Sequence, residues 1–105
     1  MSGKIETKTK KTELAVDIFK RLDKLPLIGG RAKIIFYLSD GKETLEAWFF
    51  AEIPKWHGIL IVYDEDKRPI VAESENPIRA LEELISYIQS FFEEFEITGA
   101  AVAYL

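Results

Sequence analysis

Residues 44–63 read TLEAWFFAEIPKWHGILIVY, and the way this stretch breaks decides the fold. Pro54 cannot donate to a strand ladder and Gly58 lets the chain restart, so two strands fit, Thr44 to Ile53 and Gly58 to Asp64. In the first, alternation assigns Leu45, Ala47, Phe49, Ala51 and Ile53 to one face. Thr44, Glu46, Trp48, Phe50 and Glu52 fall on the other. The first set is a core face. The second joins two carboxylates to two large aromatic rings, a mixture that belongs against water, a partner or a ligand. The second strand is apolar on both faces, which suits a central position.

Upstream, Arg31 to Ser39 alternates in the same way, with Ala32, Ile34, Phe36 and Leu38 opposite Lys33, Ile35, Tyr37 and Ser39. Asp40-Gly41 then signals a tight hairpin. A two-residue turn predicts that Ser39 faces Lys42, Tyr37 faces Thr44, Ile35 faces Glu46 and Lys33 faces Trp48. Downstream, Asp64 to Lys67 reads as a turn and Arg68 to Glu73 as a short fourth strand, at an edge because of Pro69. Asn76-Pro77 opens a second helix, asparagine as cap and proline in the first turn. Its apolar stripe comprises Ile78, Leu81, Leu84, Ile85, Ile88, Phe91, Phe92 and Phe95. Residues 96–105, EITGAAVAYL, are too apolar for a free tail; they pair as a strand, fold back on the core or enter a partner chain.

At the other end, Thr12 is a candidate cap for a first helix whose stripe is Leu14, Ala15, Ile18, Phe19, Leu22 and Leu25, with Pro26 as its stop. Residues 1–11 are polar and lysine-rich and read as a flexible basic arm. The expected organisation is thus an arm over 1–11 and one α+β domain over 12–105. That domain is a four-stranded antiparallel sheet with an N-terminal helix and a long C-terminal helix packed on it.

Composition narrows the function. A chain of 105 residues has room for one core, and 48% hydrophobic with 30% charged residues makes it globular. No apolar run approaches the ~20 residues that span a bilayer, so a membrane partner is not expected. The N-terminus lacks the apolar segment of a secretory signal, and there is no cysteine, so a cytoplasmic location is expected. Abundant charge with no cysteine and one methionine suits a heat-adapted protein. The net charge of −4 is uneven, because residues 69–105 hold seven acids against Arg79 alone. Such a balance argues against a strong, sequence-blind binder of duplexes, which has a basic domain.

Catalytic chemistry is poorly represented. His57 is the only histidine, no GxSxG nucleophile motif occurs, and nothing supplies a zinc set, so neither enzymatic activity nor a metal or cofactor is expected. Single-stranded nucleic acid fits the aromatic face better, since bases stack on rings while lysine and arginine follow phosphates. On that reading Tyr37, Trp48, Phe50 and Trp56 stack on bases, Arg31, Lys33 and Lys55 meet phosphate, and His57 adjoins them. The alternative is a homo-oligomerising structural or protein-interaction module, with the aromatic face and Ala100 to Leu105 buried between chains.

The run from Ala32, AKIIFYLSDGKETLEAWFFAEIPKWHGILIVYDEDKRPIVAESENPIRALEEL, resembles the archaeal ThermoDBP-related proteins. These are small thermophile proteins akin to the single-stranded-DNA-binding protein of the Thermoproteales. The resemblance extends over residues 32–95 and rests on element order and the aromatic hairpin. It implies a four-stranded sheet with packed helices, an aromatic-lined groove for single-stranded DNA or RNA, and assembly into dimers or larger oligomers. The chain departs from the founding protein at its C-terminal end, where GAAVAYL stands in place of a zipper-like helix.

Overall fold

Asp40 organises the central hairpin. Its Oδ1 accepts the backbone N–H of Lys42 at 2.8 Å and of Glu43 at 2.7 Å, its own N–H reaches the Glu43 carbonyl at 3.3 Å, and Gly41 takes a φ of 92°. These bonds close a four-residue loop over residues 40–43, where a two-residue turn was expected. Strands β1 (Arg31–Ser39) and β2 (Thr44–Glu52) therefore pair Ser39 with Thr44, Tyr37 with Glu46, Ile35 with Trp48 and Lys33 with Phe50. Each partner lies two residues further along β2 than the Asp-Gly turn predicts. The shift is even, so every side chain keeps its face.

In the computed structural model, which describes residues 3–24, 30–52, 60–74 and 76–105, the class is α+β. The expected four-stranded sheet is corrected to five strands, all antiparallel, in the order β4-β3-β2-β1-β5. β3 is Leu60–Tyr63, β4 is Pro69–Ser74 at one edge, and β5 is Glu96–Tyr104 at the other. The expected long C-terminal helix is likewise corrected. Helix α2 covers Pro77–Phe91, and the C-terminal element is a strand. Two features stop α2: Glu93 and Glu94 oppose the negative end of its dipole, and no basic residue occupies its last turn. Phe92 leaves helical geometry while its N–H still reaches the Ile88 carbonyl at 2.9 Å. The apolar tail then covers the bare side of β1. A register shift beside Tyr37 leaves Thr98 as an extra residue, and its hydroxyl donates to the Tyr37 carbonyl at 3.2 Å.

The first helix is also corrected. α1 spans Gly3–Asp23, so the stretch from Gly3 to Lys11 is helical rather than an arm, as its lysines and glutamate favour. Thr12 lies inside the helix, not at its cap. Its hydroxyl donates to Glu82 Oε2 at 2.6 Å, and Lys11 Nζ reaches Ser86 Oγ at 3.1 Å, so polar links join the two helices along one flank. Among the described residues no helix is long and apolar enough to cross a membrane.

Both helices pack on one face of the sheet. Ala15, Ile18 and Leu22 of α1 and Ala80, Leu81, Leu84, Ile85 and Ile88 of α2 meet the inward side chains of β1, β2 and β3 in one buried cluster. Phe36 and Phe49 form its aromatic centre, edge to face at 5.9 Å between centroids. Two expected core positions lie outside it. Leu45 sits on the core side of β2 but past the helices, and Phe91 projects from the last turn of α2; both are exposed.

Candidate nucleic-acid interface

With both helices on one side, the opposite face of the sheet carries no covering layer among the described residues. Alternation fixes what it displays. β1 contributes Arg31, Lys33, Ile35 and Tyr37, β2 contributes Glu46, Trp48, Phe50 and Glu52, and β3 contributes Ile61 and Tyr63. β5 sets Gly99, Ala101 and Ala103 opposite Tyr37, Ile35 and Lys33, so this flank of the face is low. A Cβ added at Gly99 would come to 3.9 Å from Tyr37 Cδ2, which places the Tyr37 ring over that glycine.

Five of the eight residues expected at a binding surface share this face: Arg31, Lys33, Tyr37, Trp48 and Phe50. Lys55, Trp56 and His57 lie outside the described residues. Trp48 and Tyr37 are 38% and 39% exposed, so neither is a core ring. Phe50 is half-buried between Lys33 and Tyr63, its partners on either side.

Trp48 is held in place. Its Nε1–H donates to Glu46 Oε1 at 2.8 Å, and Lys33 Nζ stands 4.4 Å from the ring centroid. Exposed cation–π contacts of this kind stabilise by ~0.5–1 kcal/mol, enough to orient a side chain and weak enough to exchange for a ligand. Arg31 does not stand free either. Its Nε lies 3.5 Å from Glu52 Oε2, and Glu52 Oε1 accepts the Tyr63 hydroxyl at 2.9 Å. That hydrogen bond, then burial, pushes the Tyr63 ionisation above the ordinary tyrosine value.

Two recesses flank the Trp48–Lys33 pair. One, of about 360 Å3, is bordered by Arg31, Phe50, Glu52, Tyr63, Lys67 and Leu105. The other, at the loop end, is bordered by Tyr37, Leu38, Thr44, Leu45, Glu46 and Thr98. Tyr63 is the site residue that the sequence reading does not single out, while Glu46 and Glu52 are expected on this face without a role. β3 looks uniformly apolar in sequence; only its alternation, with Leu60 and Val62 inward, turns Tyr63 outward.

Comparison with protein-family models, with curated proteins and with solved structures gives no match to this chain.

Proposed function

We propose that this protein binds single-stranded DNA or RNA, without catalysis, on the open face of its sheet. The observation that carries the reading is the row of Tyr37, Trp48, Phe50 and Tyr63 on a helix-free face, with Lys33 resting on Trp48. Unpaired bases stack on aromatic side chains of open sheets, and cations beside the rings meet the phosphates. Lys33 and Arg31 are the candidates for that second role. The four residue steps of β1 from Lys33 to Tyr37 span ~13 Å of strand, room for a few bases. The resemblance of residues 32–95 to ThermoDBP-related proteins is taken as part of this proposal, and it implies the same class of ligand.

The test is a tryptophan-fluorescence titration with poly-dT and with a mixed RNA at low salt, for the wild type and Trp48→Ala. Saturable quenching is expected in the wild type. Stacking on one ring contributes ~1–3 kcal/mol, so the variant should bind at least about fivefold more weakly while its melting temperature barely moves. Absence of quenching at low salt, or a collapse of the melting temperature in W48A, would count against the proposal.

A second reading has its own support. Ile35, Phe50 and Ile61 put apolar surface on the same face, and β5 is an uncharged edge strand beyond Glu96. Such surfaces also join copies of one chain. Sedimentation at rising concentration separates the two: assembly that abolishes quenching favours the oligomeric module.

A further inference from the structure

General stacking and phosphate contact leave one feature of the open face unused. At its β3 end the Glu52 carboxylate stands in the aromatic recess, fixed from two sides by Tyr63 and Arg31. The Glu52 side chain remains 30% exposed. Each carboxylate oxygen offers about two acceptor sites and no donor, so each keeps a site for a ligand. The recess is of small-molecule size, within the ~300–1,000 Å3 usual for such sites.

Charge decides what does not enter. Around the recess Arg31 and Lys67 face Glu52, Asp64 and Glu65, an excess of one negative charge. The interior of the recess gives a phosphate no net attraction, which leaves only the exposed outer side of Arg31 for one, and a group rich in N–H donors is favoured inside. In a single strand the Watson–Crick edges of the bases are free to act as that group. Guanine offers two adjacent donors on that edge, N1–H and the 2-amino group. A carboxylate accepts both in parallel, one per oxygen. Adenine and cytosine set a ring-nitrogen acceptor beside their amino group, which would oppose the second oxygen. Thymine and uracil place one N–H between two carbonyls.

We infer that Glu52, positioned by Tyr63 and Arg31, reads the Watson–Crick edge of one unpaired guanine seated against Phe50. This rests on the single-strand reading above. It adds a base preference to a surface whose stacking is otherwise indifferent to sequence. Tyr63 is a neutral donor at neutral pH, like any tyrosine, and its hydroxyl is held on Glu52 at 2.9 Å.

The experiment compares two strands of about 12 nucleotides, all-thymine and alternating thymine–guanine, in lithium buffer to suppress guanine quadruplexes. Each is titrated against the wild type and Glu52→Gln. The wild type should bind the guanine-bearing strand about tenfold more tightly. In E52Q that preference should fall to within about twofold, because the glutamine amide opposes guanine with a donor of its own. The readout is the ratio of the two affinities, which a change in affinity common to both strands does not move. A second arm needs no variant: guanosine 5′-monophosphate should displace the all-thymine strand from the wild type at lower concentration than thymidine 5′-monophosphate does. Equal affinity of the wild type for both strands, or equal displacement by both nucleotides, would overturn the inference and leave single-strand binding standing. A preference that survives intact in E52Q would also overturn it. Failure of both strands to bind would remove the inference and the proposed function together.

Discussion

Tyr63 shows how a single hydrogen bond couples the open face to pH. Its hydroxyl donates to Glu52, and ionising it would set a phenolate against a carboxylate, so its folded pKa lies above the ordinary value. A raised folded pKa means the neutral form is the one the fold favours. That contribution is complete below the unfolded value of ~10 and is lost as pH rises through the folded one. Thermal melting from about pH 8 to pH 11 should therefore show the wild type losing stability at the alkaline end faster than Tyr63→Phe. Near neutrality the variant should be less stable by roughly 0.5–1.5 kcal/mol, the usual net worth of a hydrogen bond. Parallel curves would show that the bond is not maintained in solution. Asp40 behaves in the opposite sense. The Glu43 and Lys42 N–H groups on its carboxylate hold its pKa below the ordinary value, so its contribution is present above ~3.9 and lost as pH falls through the folded value. At this scale the sequence was a good guide. Alternation is a local property, and it turned Lys33, Tyr37, Trp48 and Phe50 to one face. The union of Arg31, Glu52 and Tyr63 was hidden, because it depends on how three strands align, which no residue declares by itself.

Elements were legible where their signals were local and opaque where tertiary pairing decided. Asn76 and Pro77 announce α2 correctly: Asn76 Oδ1 accepts the N–H of Ile78 at 3.0 Å and of Arg79 at 3.3 Å. Replacing it with alanine should cost about 1 kcal/mol. In a domain of this size that is a drop of ~4–8 °C in melting temperature, and an unchanged transition would mean the cap is redundant. The C-terminal end is the contrary case. Phe92 and Phe95 continue the α2 stripe at helical spacing, yet Glu93 and Glu94 destabilise a last helical turn that would include them, and the bare edge of β1 draws residues 96–104 into a strand. Ser39-Asp40-Gly41-Lys42 likewise carries a turn signal, but the Asp40 side chain selects the longer loop. The fifth strand also changes what truncation means. Deleting residues 100–105 removes the β5 partners of Ala32 to Phe36 and the Ala100 carbonyl that Arg21 caps at 2.8 Å. The shortened chain should lose its cooperative melting transition or aggregate through the exposed edge of β1. If it melts as the full chain does, β5 contributes nothing to the fold.

For the whole molecule, the arrangement of charge limits what an anionic ligand gains from the open face. The two helices lie behind the sheet and are close to neutral together, with seven basic and six acidic residues, whereas the open face carries Lys33 and Arg31 beside Glu46 and Glu52. At physiological ionic strength the Debye length is ~8 Å, less than the ~10 Å separating packed layers, so a ligand on the open face feels the local charges, Lys33 and Arg31 with Glu46 and Glu52, more than the net charge of −4. The same arrangement limits how much phosphate can contribute. Only Arg31 and Lys33 were assigned to phosphates among the described residues, and Arg31 is shared with Glu52. Two such contacts to a single strand give a slope of log K against log salt of roughly −1.4. A measured slope between about −1 and −2, with substantial affinity left at high salt, would fit a surface that holds its ligand by stacking. A slope steeper than about −4 would mean that several further cations meet the strand, and that the Trp48 face is not the main seat of binding.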